Sequence, residues 1–310
     1  MQGFRQNGQL LLWESNHEQL QIEPWGHDSL RVRAAISEKI RDDLFSVLIP
    51  ANDVDVQITI GAEGASIRNG AIEARVSPEG LIRFYHAITG TELLSEKKPR
   101  HSSRIPARLF KATGGELFRV EARFQAQTDE HFYGLGQHQH GLLDQKGSVI
   151  DLIQRNSEIT IPFTVSSRGY GFLWHNPALG RVELGTSETR WVAQETAQLD
   201  YWVTTGASNA EIMEHYADVT GHAPAFPAWA SGFWQSKLRY RTQEELLNVA
   251  REYKKRGLPL SVIVIDFFHW TLQGDWRFDP VAWPDPAAMV QELESMGVKA
   301  LVSVWPTVNP

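Results

Sequence analysis

Short runs of alternating apolar and polar residues dominate the chain from residue 1 to about 206. Leu30–Arg33, Val56–Ile60 and Phe118–Phe124 are examples, and clusters of Gly, Asn and Asp separate such runs. A period of two turns one face of each run toward a core and the other toward water, so these segments read as half-buried strands. Ala71–Leu94 has the pattern of a hairpin, with two alternating runs joined by Ser77-Pro-Glu-Gly80, a turn that has Pro early and Gly last. Residues 1–206 are therefore expected to form an N-terminal antiparallel β-sandwich. No repeat of fixed period and no low-complexity tract interrupts it.

Near Ser208 the period lengthens. Ser208-Asn-Ala-Glu211 has the spacing of a capping box and opens a helical run with Ile212, Met213, Tyr216 and Val219 on one face, closed by Gly221. Pro224 and Pro227 then make a stiff connector, so residues 207–227 are expected to link two domains. From 228 the order is β-α-β-α-β. The elements are a short strand over Trp229–Gln235, a helix from the Thr242 capping box to Arg256, and an apolar strand over Leu260–Asp266. A helix starting at Asp285 and Pro286 and a strand over Lys299–Trp305 complete the series. The first helix shows Leu246, Leu247, Val249, Ala250 and Tyr253 on its apolar face, the second Met289, Val290, Leu293 and Met296.

Crossovers of this length join parallel strands. A doubly wound nucleotide fold needs a glycine-rich turn after its first strand, where this chain has Gln235-Ser-Lys-Leu-Arg-Tyr240, so the start of a (β/α)8 TIM barrel is favoured. A closed barrel takes about 250 residues. Residues 228–310 hold three strands, so the rest of the barrel is expected to lie beyond Pro310 or on a partner piece.

Composition narrows the chemistry. With no cysteine, thiolate metal sites, iron–sulfur clusters, disulfides and cysteine nucleophiles are excluded. A net charge of -7 argues against a nucleic-acid face or a polybasic membrane patch. The apolar run Leu10–Trp13 is too short for a signal-peptide core or a membrane span, and a cytoplasmic location is expected. The 11 tryptophans are an unusual share and suit either core packing or a sugar cleft, since flat rings stack on pyranose faces. His138 and His140 would share one face of an extended segment, but no third ligand is near, so no metal site is expected. Lys237–Arg241, with three cations in five residues, reads as a solvated loop.

Specific motifs add a family. His131-Phe-Tyr-Gly-Leu-Gly-Gln137 and Gly169-Tyr-Gly-Phe-Leu-Trp-His-Asn176 resemble sandwich segments of glycoside hydrolase family 31. Gly232-Phe-Trp-Gln235, Val264-Ile-Asp-Phe-Phe-His-Trp270, Trp283-Pro-Asp-Pro286 and Val302-Ser-Val-Trp-Pro306 resemble the first three strands and the second helix entry of its barrel. Phe233–Arg241 and Phe267–Trp270 are more similar to the α-xylosidase branch than to the α-glucosidase branch.

The resemblance implies a retaining hydrolase of terminal α-linked glycosides, most closely α-xylosides, that needs no cofactor. Its nucleophile and acid/base follow later barrel strands, so no catalytic residue is expected here and the isolated chain is expected to be inactive. Asp266 is implied as the acceptor of hydrogen bonds from non-reacting sugar hydroxyls. Asn156 is implied as a loop residue reaching the sugar.

Trp234 and Trp305, near strand ends, are candidate pocket walls. Phe267, Trp270 and Trp276, in the loop after Asp266, are candidates for a barrier that excludes a hydroxymethyl group. The expected partners are an oligosaccharide or α-glycoside and the remainder of the catalytic barrel, without nucleic acid or membrane, and a homo-oligomer is allowed. Two alternatives stay open: an α-glucosidase of the same family, and a non-catalytic carbohydrate-binding or structural fragment.

Overall fold

In the computed structural model, which describes residues 3–307 other than 16, 37–38, 45, 51–55, 100–101 and 103–104, the chain divides into two units, Met1–His222 and Ala223–Pro310. The described strands of the first unit form three antiparallel sheets, of eight, five and five strands. The largest runs in the order Gly3–Asn7, Leu10–Ser15, Glu18–Pro24, Ser29–Ile36, Leu199–Thr205, Tyr170–Trp174, Ile159–Ser166 and Phe132–Gln137. Its two halves join where the fourth strand pairs with Leu199–Thr205, Val32 standing opposite Tyr201. One apolar core is shared by all three sheets, drawing Ile22 and Val32 from the first, Val120, Phe124 and Trp191 from the second, and Ile67, Ala74 and Phe84 from the third. Burial of that many whole aliphatic and aromatic side chains, at about 1.5–3 kcal/mol each, is what holds the layers together.

The expected hairpin is present, with Val76 opposite Ile82. Its turn closes through Gly80 N–H donating to the Ser77 carbonyl at 2.8 Å. Gly80 has φ +84°, and a Cβ there would meet the Trp13 ring at 2.6 Å, so only glycine lets the turn lie on that indole. Beside it Arg108 is buried. Its Nη1 donates to both carboxylate oxygens of Glu96 at 2.7 and 2.6 Å, its Nε to Glu18, and its Nη2 to the Gly80 carbonyl at 3.0 Å.

Helix α1 (Asn209–Thr220) starts as its capping box predicts, Ser208 Oγ accepting from Glu211 N–H at 3.2 Å. It belongs with the sheets: Ile212 and Val219 pack with Phe163, Leu173 and Trp202, and Tyr216 stacks on Phe163 at 4.2 Å. The buried positions are Ile212, His215 and Val219, whereas Met213, expected on that face, is exposed. A 100° step per residue carries position 213 off the stripe and brings position 215 onto it.

The second unit holds a three-stranded parallel sheet whose middle strand is Val262–Ile265, flanked by Trp234–Gln235 and Lys299–Val302. Helices α2 (Gln243–Lys255) and α3 (Pro286–Ser295) bury Leu246, Leu247, Ala250, Met289 and Leu293 in one cluster with Ile263 and Ile265. Each helix begins at the expected cap: Thr242 Oγ1 accepts from Glu245 N–H at 3.1 Å, and Asp285 Oδ1 from Ala288 N–H at 2.9 Å.

The first strand differs from expectation. Ala228–Ser231 is a turn of 3₁₀ helix and only Trp234–Gln235 is paired. Ser231 Oγ bonds the Ala228 carbonyl at 2.7 Å and Gly232 N–H the Trp229 carbonyl at 3.2 Å, local bonds that compete with a sheet ladder. Among the described residues, no helix is long and apolar enough to cross a membrane.

Candidate active site

The middle parallel strand ends at Ile265, and Asp266 follows at once. At this end of a parallel sheet the loops converge, which is where such folds build sites. Asp266 is half-buried, and among the described residues nothing donates a hydrogen bond to its carboxylate and no cation pairs with it. Most other acids of this unit are engaged: Asp275 pairs with Arg277, Asp279 Oδ1 accepts from the N–H groups of Val281 and Ala282, and Asp285 caps α3. A carboxylate left free at a strand end keeps its acceptor capacity for a ligand.

The chain leaves Asp266 through two successive non-glycine residues in the left-handed region, Phe267 at φ 49° and Phe268 at φ 56°. Bulky residues seldom sit there, and each such placement costs about 1–3 kcal/mol. The sharp turn puts the Phe267 ring 4.9 Å from that of Trp305 and 6.4 Å from that of Trp270, with Trp270 and Trp305 at 6.2 Å. Trp305 reaches this level because Val302 pairs with Ile265 and Ser303 N–H donates to the Ile265 carbonyl at 2.9 Å. Trp276, largely exposed, donates its indole N–H to the Trp305 carbonyl at 3.3 Å. Four of the expected aromatics thus gather at the Asp266 end.

Trp234 does not join them. It is level with Val262, four residues before Asp266, or about 13 Å along a parallel strand. There it stacks on Trp229 and gives its N–H to the Ala230 carbonyl at 3.0 Å. Asn156 lies in the first unit, exposed in a turn closed by the Arg155–Glu158 bridge.

Two further residues stand at this end. His269 is buried, its Nδ1 without a partner among the described residues, and its ring lies 4.7 Å from Trp270 and 4.9 Å from Phe278. Burial pushes its imidazole below the ordinary histidine value, with the Asp266 charge opposing, so it stays neutral at pH 7. Arg239 lies over the Phe268 ring at 5.4 Å. In the same loop Lys237 pairs with Glu245, whose other oxygen accepts from the Arg241 backbone N–H at 2.7 Å. The aromatic composition of Phe267–Trp270 was the available signal for His269, while nothing in the spacing singled out Arg239.

The His138 and His140 rings are stacked at 5.6 Å, but each has one nitrogen committed locally, to the Leu135 carbonyl at 2.8 Å and to Leu142 N–H at 3.0 Å. Neither belongs to a three-ligand cluster among the described residues.

Comparison with known proteins adds to this geometry. Residues 19–183 match the glycosyl hydrolase 31 N-terminal galactose mutarotase-like domain, and residues 223–310 the glycosyl hydrolases family 31 TIM-barrel domain. The chain is 45% identical over 96% of its length to an uncharacterized family 31 glucosidase of Pseudescherichia vulneris, and 33% identical over 98% to alpha-xylosidase A of Aspergillus niger. It spans 59% and 44% of those two proteins' lengths. Among solved structures, a GH31 alpha-xylosidase from a soil metagenome complexed with xylose superposes at a TM-score of 0.91 with 47% identity. That match covers 99% of this chain and 48% of the other.

Proposed function

The chain belongs to glycoside hydrolase family 31, and from that membership we propose that it carries the sugar-holding end of a retaining α-glycosidase that removes terminal α-xylosyl residues. The free carboxylate of Asp266 carries this reading. An acid at that strand end, with no partner among the described residues, suits a role as acceptor for hydroxyls of the bound sugar. Such bonds act catalytically when they tighten as the ring flattens toward the oxocarbenium-like transition state.

Retaining hydrolysis needs two carboxyl groups about 5 Å apart, one attacking the anomeric carbon and one protonating the leaving oxygen. Asp275 and Asp279 are tied to their own loop, which supports seating the nucleophile and the acid/base outside these 310 residues, on the remainder of the barrel. Exposed Leu301 on the strand Lys299–Val302, with Phe233 and Val304 exposed beside the two outer strands, agrees with a unit that further strands cover.

For the sugar, Phe267, Trp270, Trp276 and Trp305, gathered at the Asp266 end, are the residues we assign to the wall. Xylose differs from glucose by lacking the hydroxymethyl group on C5, so a filled space selects it, at about 1–3 kcal/mol for so small a group. The alpha-xylosidase name of one relative and the xylose bound to the soil-metagenome structure support that choice. Assaying an aryl α-xyloside with the intact enzyme and with residues 1–310 alone tests the division of labour. Turnover by the intact enzyme and none by the shorter chain is expected, and a rate in the shorter chain that Asp266→Ala abolishes would make Asp266 the nucleophile instead.

A further inference from the structure

In the first unit, far in sequence from Asp266, His27, Asp28 and His215 bring one ligand atom each to within 4.8 Å of one another. His27 Nδ1 lies 3.0 Å from Asp28 Oδ2, and the His27 and His215 rings are 5.5 Å apart. His27 and Asp28 sit in the turn between the strands Glu18–Pro24 and Ser29–Ile36, while His215 projects from the buried face of α1.

The surroundings orient Asp28 and His215 toward this point. Asp28 adopts φ 50° and its other oxygen, Oδ1, accepts from Ala71 N–H at 2.6 Å, with Gly70 packed so closely that a Cβ there would overlap it. Oδ2 is the oxygen turned toward the imidazoles, 3.0 Å from His27 Nδ1. Thr204 Oγ1 lies 2.9 Å from His215 Nδ1 and donates to the Asp28 carbonyl at 3.3 Å. The Thr204 hydroxyl thus occupies Nδ1 of His215, which leaves Nε2 as the ring nitrogen open to a ligand. A second-row hydrogen bond on the far nitrogen is the arrangement that orients metal-bound histidines.

We infer that His27, Asp28 and His215 form a binding site for a divalent transition ion of the zinc class, with a fourth position open to water. Two imidazoles and one carboxylate suit zinc, cobalt or nickel and do not suit calcium or magnesium, which take oxygen ligands. Around a tetrahedral ion with bonds of about 2.0–2.1 Å the donor atoms stand roughly 3.3 Å apart. The widest separation in the cluster, up to 4.8 Å, therefore closes by up to about 1.5 Å. The mobile member is His27, whose side chain is 72% exposed against 10% for Asp28. The ion would clamp α1 to the turn at residues 27–28.

Isothermal titration of the 310-residue chain with Zn²⁺ and Co²⁺ tests the site. Wild type is expected to take up one ion, and His27→Ala, which removes an exposed side chain and leaves the circular dichroism unchanged, to weaken binding at least about tenfold. Asp28→Asn keeps the acceptor for Ala71 N–H and the tolerance for positive φ, and is expected to weaken binding similarly. A variant with His138→Ala and His140→Ala together should bind as wild type does. No saturable binding in wild type, equal affinity in His27→Ala, or loss only in the His138 and His140 variant would each overturn the site.

Discussion

The rings of Phe267 and Trp305 meet at 4.9 Å across the ends of two parallel strands, 38 positions apart in sequence. The contact depends on the pairing of Ile265 with Val302 and on the left-handed turn at Phe267. It makes one surface of two loops, with Asp266 at its edge.

If that surface is the barrier against a hydroxymethyl group, Phe267→Ala and Trp276→Ala in the intact enzyme should raise kcat/KM on an α-glucoside relative to the matching α-xyloside. A shift of about 5- to 100-fold is expected. Trp276 is largely exposed, so its removal tests specificity without a large stability cost. Proportional losses on both substrates would show that these rings do not choose the sugar.

Trp270 should behave differently. It is 7% exposed and walled by Phe267, Phe268, His269 and Trp305. Trp270→Ala is expected to cost about 3–5 kcal/mol of stability in denaturant unfolding, through the cavity it leaves. A cost under 1 kcal/mol would mean that the loop is held by other contacts.

Buried, and without a partner for Nδ1 among the described residues, His269 makes stability depend on pH. Its folded value lies below the ordinary value of about 6.5. Between the two the unfolded chain binds a proton that the folded chain resists. The contribution is therefore full above the ordinary range and is lost as pH falls through the folded value. His269→Gln should flatten the loss of stability as pH falls below about 6.5, read from urea midpoints, and an unchanged slope would contradict this.

In the first unit, Arg108→Met should cost about 3–5 kcal/mol, because it leaves the buried Glu96 carboxylate without its cation. Burial already pushes Glu96 upward against the pull of Arg108. Thermal unfolding of the variant measures the effect, and a loss below 1 kcal/mol would mean that Glu96 is neutral or hydrated in the fold.

Much of this was legible in the sequence for physical reasons that differ by element. Ser208, Thr242 and Asp285 announced helix starts because capping is local, and Ala71–Leu94 announced a hairpin because its turn and both strands are adjacent. Asp266 stood out because an acid ending a buried apolar strand needs a reason to be there. The partition of the strands into three sheets was not legible, since pairings such as Val32 with Tyr201 join residues 169 positions apart. The withdrawal of Trp234 from the Asp266 end depends on a register that spacing does not encode. The His27, Asp28 and His215 cluster is assembled only by the docking of α1.

The central claim, that Asp266 holds the sugar of an α-xyloside, is tested most directly by kcat/KM for paired aryl α-xyloside and α-glucoside substrates in the intact enzyme and its Asp266→Asn variant. Wild type is expected to favour the xyloside by about tenfold or more. Asp266→Asn should lower kcat and raise KM on it, with folding stability unchanged, because the lost hydroxyl contacts strengthen in the transition state. A wild-type preference for the glucoside, or kinetics that Asp266→Asn leaves untouched, would contradict the account.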